Sequence, residues 1–130
     1  MKRIIIVSMN FLLVSVVFAG SILAQHGYRV EKTINFRGNT TATVKGTIPN
    51  TLEVHEYIFS ARKGQNLTVG LFSTREDIGF FIVRPNGENL SDEVELRSWN
   101  GKLPEGGEYH IIINTSEKGA ARYTLELTVE

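Results

Sequence analysis

Histidines, clustered carboxylates and a loop flanked by tryptophan and tyrosine are the parts of this sequence whose residue types could do chemistry. The histidines are His26, His55 and His110. The last two fall in β-prone segments and are expected to face solvent. A metal site needs several such ligands converging, and His55-Glu56 lacks the i+4 histidine of a helical zinc motif. Glu88, Asp92, Glu93 and Glu95 offer hard oxygens to calcium, but their spacing fits no calcium-loop pattern and reads as a solvated rim. Nucleophilic catalysis has little to work with, because there is no cysteine and no serine in a Gly-x-Ser-x-Gly elbow. No metal and no cofactor is expected, and the chain reads as non-enzymatic.

What remains is Trp99-Asn-Gly-Lys-Leu-Pro-Glu-Gly-Gly-Glu-Tyr109, followed by Ile111-Ile112-Ile113. Pro104 presets a turn and cannot donate to a sheet ladder, while Gly106 and Gly107 admit positive φ at no steric cost. Tryptophan and tyrosine at loop ends serve as binding anchors or as plugs whose N–H or O–H bonds the backbone. The residue types leave both open. The candidate contact residues are Trp99, Lys102, Leu103, Pro104, Glu105, Gly106, Gly107 and Tyr109.

The elements that must position this loop are strands. Segments 28–36, 40–48, 52–61, 66–73, 78–84, 94–99, 107–114 and 120–129 are rich in β-formers, and glycine, proline or asparagine separates several of them. The last is the clearest, with Tyr123, Leu125, Leu127 and Val129 alternating with Thr124, Glu126 and Thr128. No helical period follows residue 24. The pattern predicts a single all-β domain, an antiparallel β-sandwich of jelly-roll type with about eight strands.

Residues 1–24 read as a secretory signal peptide, with Lys2 and Arg3 before an apolar run and small residues up to Ala24. Its removal leaves residues 25–130 with no membrane anchor, a periplasmic or secreted destination, and 12 basic against 14 acidic residues. Nucleic acid is excluded as a partner for want of a basic patch.

Beyond these patterns, Tyr57-x-Phe59-x-Ala61-x-Lys63-Gly64-Gln65-x-Leu67-Thr68-Val69, Phe80-x-Ile82-x-x-Pro85-x-Gly87, Leu103-Pro104-x-x-Gly107-x-Tyr109 and Tyr123-Thr124-Leu125 resemble the bacterial pre-peptidase C-terminal β-sandwich. Within that pattern the chain is similar to periplasmic inhibitors of g-type lysozyme. The resemblance implies inhibition by a loop inserted into the lysozyme cleft, with Gly106 where the inhibitors carry serine. Lys102, Lys118 and Arg122 are then the cations expected to face an acidic cleft. A second expectation is an accessory module that binds polysaccharide or another exported protein through aromatics such as Phe72, Phe81 or Trp99.

Overall fold

The computed structural model describes residues 27–130; the signal segment 1–24 and His26 lie outside the described residues. Among the described residues eight strands form: β1 (Tyr28–Thr33), β2 (Thr41–Ile48), β3 (Glu53–Ala61), β4 (Asn66–Phe72), β5 (Ile78–Val83), β6 (Ser98–Lys102), β7 (Gly107–Thr115) and β8 (Ala121–Val129). They make two four-stranded sheets, ordered β1-β3-β7-β5 and β2-β8-β4-β6. All pairs are antiparallel except β1 with β3, which run parallel because the chain leaves β1 for the other sheet before returning as β3.

Period-two alternation fills the space between the sheets. In β8, Tyr123, Leu125 and Leu127 are buried while Arg122 and Glu126 are exposed. Leu125 meets Val44 and Leu71 in register, and Leu127 meets Ala42 and Val69. From the other sheet come Tyr57 and Phe59 of β3, Ile111 and Ile113 of β7, and Phe80 and Ile82 of β5, all buried. A one-residue slip would turn each row into water, which fixes the register.

One strand lies elsewhere than the alternation predicts. Segment 94–99 is split between the sheets: Leu96 bridges Phe80 of β5, and only from Ser98 does the chain pair with β4. Arg97 makes the crossing possible. Its guanidinium donates to the carbonyls of Leu71, Ser73 and Arg75, which satisfies backbone acceptors the break leaves free.

The sandwich therefore has two distinct ends. Connections 62–65, 84–87 and 103–106 gather at one, and 49–52, 73–77 and 116–120 at the other. β7, nine residues long, separates them by about 27 Å.

Candidate functional site

The 103–106 loop is held from below. Leu103 is buried; its N–H donates to Gln65 (2.8 Å) and its carbonyl accepts from Gly64 (2.9 Å), which ties the loop to connection 62–65. Tyr109 is fully buried and stacks on Phe59, with ring centroids 5.8 Å apart. Its hydroxyl donates to the Glu105 carbonyl at 2.6 Å and faces the Glu105 N–H at 3.4 Å. Burial pushes that hydroxyl above its ordinary pKa, so it stays a neutral donor. Glu105 is paired with Arg84 at 3.0 Å. Gly107 sits at φ +140°, and a Cβ there would meet the Pro85 ring at 3.0 Å, so glycine is required.

This geometry takes five of the expected contact residues out of the loop surface, and for Trp99 and Tyr109 it selects the plug of the two readings left open. Leu103 and Tyr109 present no surface to a partner, because both are spent inside the sandwich as supports of the loop. Trp99 points inward from β6 and packs against the core across Gly101, where a Cβ would stand 2.6 Å from the indole. It too is a plug. Lys118, in connection 116–120, and Arg122, at the start of β8, lie at the opposite end of the sandwich and cannot share a site with the loop.

What the loop does expose is Lys102, Pro104, Gly106 and Gly107. The structure adds Arg62 and Lys63, in the connection between β3 and β4. A Cβ on Gly106 would lie 3.5 Å from the Lys63 nitrogen and 3.7 Å from Arg62 Cα, so both residues border the loop. Their signal was the Ala61-x-Lys63-Gly64-Gln65 element, whose cations are exposed because Gly64 turns the chain at φ +89°. Arg62, Lys63 and Lys102 have no ion-pair partner among the described residues.

The histidines do other work. His55 does not face solvent. It shares parity with Tyr57 and Phe59, so the pleat that buries them buries it, between the Tyr123 hydroxyl at 2.6 Å and the Glu53 carboxylate at 2.7 Å. The Tyr57 and Tyr123 hydroxyls lie 2.5 Å apart, so four side chains link the two sheets. Burial raises the pKa of both tyrosines. Gly46 gives Tyr123 its place, since any Cβ there would collide with the phenol.

His110 is half-buried on the outer face of β7. There Nδ1 lies 2.9 Å from buried Glu56, which also pairs with Arg29 at 3.4 Å, and Nε2 lies 3.4 Å from Glu108. A shallow pocket of about 430 Å³ opens over them, but no serine, threonine or cysteine lines it. Among the described residues no group of three histidine, cysteine, aspartate or glutamate side chains is placed to hold a metal ion, and Asp92, Glu93 and Glu95 stay exposed and apart.

Solved structures place this architecture. PliG from Aeromonas hydrophila, a periplasmic inhibitor of g-type lysozyme, superposes over 80% of this chain and 99% of its own with a TM-score of 0.70 at 18% identity. The fold is that of the g-type lysozyme inhibitors. PliG from Salmonella Typhimurium matches over 78% of this chain and 98% of its own, with a TM-score of 0.61 at 21% identity. The pre-peptidase C-terminal domain of a Bacillus anthracis collagenase covers 80% of this chain and 96% of its own, with a TM-score of 0.53 at 13% identity. No family model matches the chain, and no curated protein matches it in sequence.

Proposed function

We propose that this is an exported, non-enzymatic protein that blocks the cleft of a g-type lysozyme with the end of the sandwich bearing the 103–106 loop. The observation that carries the reading is that exposed Arg62, Lys63 and Lys102, without ion-pair partners among the described residues, border the anchored 103–106 loop, on the fold of the PliG inhibitors. A glycosidase cleft holds catalytic carboxylates and attracts such a surface. Exposed cations at a rim speed encounter and fix orientation. The anchoring of Leu103 and Tyr109 means little loop entropy is lost on docking.

The reading is tested by adding the purified protein in excess to a g-type lysozyme acting on suspended cell walls. Slowed clearing of turbidity is expected, and undiminished clearing overturns it. A second reading, saccharide binding, is favoured by one separate observation: Phe72 stands exposed on the outer face of the β2-β8-β4-β6 sheet.

A further inference from the structure

The outer face of the β2-β8-β4-β6 sheet carries several hydroxyls among its charges. Thr43, Thr47, Thr68, Thr124 and Thr128 all point outward by parity with buried neighbours. Phe72 interrupts them, 58% exposed. A single exposed aromatic is unremarkable by itself, but the surroundings of this one are specific. Gly70 precedes it on the same face, and a Cβ there would stand 3.1 Å from the ring, so the phenyl lies back along the sheet over the glycine. A shallow groove of about 870 Å³ runs beside it, lined among others by Lys45, Thr47, Thr74, Arg122 and Thr124.

Register sets the arrangement. Thr124 is the direct cross-strand neighbour of both Phe72 and Lys45, so the three backbone positions share one row, about 5 Å from strand to strand, while the phenyl leans toward Gly70 and its cross-strand partner Glu126. Arg122 stands one step along β8, opposite Thr47. Its strand is pinned by the Ser73 hydroxyl, which donates to the Arg122 carbonyl at 2.6 Å. Neither Lys45 nor Arg122 has an ion-pair partner among the described residues. Glu126, beyond Thr124 on the same face, bounds the row on the side away from Arg122.

We propose that this groove binds a saccharide whose pyranose ring bears a carboxylate. Phe72 covers the C–H face of the ring, the guanidinium of Arg122 takes the carboxylate in a two-point bond with Lys45 beside it, and Thr47 and Thr124 bond the sugar hydroxyls. Lys45 and Arg122, with no ion-pair partner among the described residues, outweigh the single carboxylate of Glu126 on this face and favour an acidic sugar over a neutral one. The site lies toward the end of the sandwich away from the 103–106 loop and does not depend on lysozyme inhibition.

The test is an NMR titration of the purified protein with oligosaccharides of galacturonate, of glucuronate and of N-acetylmuramate, with methyl-esterified oligogalacturonate as the uncharged control. At least one acidic oligosaccharide should shift the amides of Lys45, Phe72, Arg122 and Thr124, and R122A should weaken it about tenfold. F72A should weaken the same ligand by a similar factor, and the double variant R62E/K63E should leave it unchanged. The proposal is overturned if none of the three acids shifts these amides, if the shifts fall on the 103–106 loop instead, or if the methyl ester binds as well as the acid.

Discussion

The two ends of the sandwich differ in how their loops are closed and in which cations border them. At the end made by connections 73–77 and 116–120, Arg75 forks onto Asp77 at 2.6 and 2.7 Å and donates to the carbonyls of Glu117, Gly119 and Ala120. Arg97 satisfies three further carbonyls from below. At the other end Arg62, Lys63 and Lys102 are exposed and have no ion-pair partner among the described residues. Arginines that close loops belong to the fold, whereas cations left free beside a rigid loop are available to something outside it. The interior follows the same division, since the Tyr57–Tyr123–His55–Glu53 linkage lies toward the locked end.

Substitutions can break or sharpen that contrast. The largest loss is expected from Leu103→Ala, about 2–5 kcal/mol in urea unfolding, because a fully buried anchor leaves a cavity under the loop. A loss below about 1 kcal/mol would mean that the loop end is not rigidly seated. Next comes Tyr123→Phe, about 1–3 kcal/mol by the same measurement, since it strips a partner from both Tyr57 and His55.

Asp77→Asn should have a smaller effect with a distinctive pH dependence. The hydrogen bonds from Arg75 hold the Asp77 carboxyl down at about 2, against an ordinary 3.8. A depressed carboxylate pKa stabilises the folded state fully above the unfolded value and less as protons bind the native form. The gap in stability between the two proteins should therefore be complete above about pH 4 and close as pH falls toward 2. A gap independent of pH would remove the charge of Asp77 from the account. The smallest effect belongs to the double variant R62E/K63E, whose stability should stay within about 0.5 kcal/mol of the parent, because these side chains close nothing.

Much of the fold was legible because alternation reports burial directly. β2, β4, β7 and β8 lie within one residue of where period two places them. β6 was not, because Leu96 and Trp99 carry the same apolar signal while facing different sheets, and only the carbonyl acceptors of Arg97 show where the chain crosses. The loop site was half legible. Its glycines and proline marked a tight turn, but whether Tyr109 and Trp99 turn inward depends on Phe59 and Gly101, which lie on other strands or need the pleat to be known. Arg62 and Lys63 carry no such signal, because their proximity to Gly106 is a contact across 44 and 43 residues of chain. His55 could have been placed correctly, since its parity with Tyr57 already set it inward.

The central claim is that the free cations at the loop end, and not those at the locked end, face a lysozyme cleft. Its most direct measurement compares inhibition of a g-type lysozyme by the parent, by R62E/K63E and by K118E at the opposite end. R62E/K63E should lose about tenfold or more in inhibitory potency, with the loss shrinking at high salt, while K118E should match the parent. Equal potency of all three, or a loss confined to K118E, would contradict it.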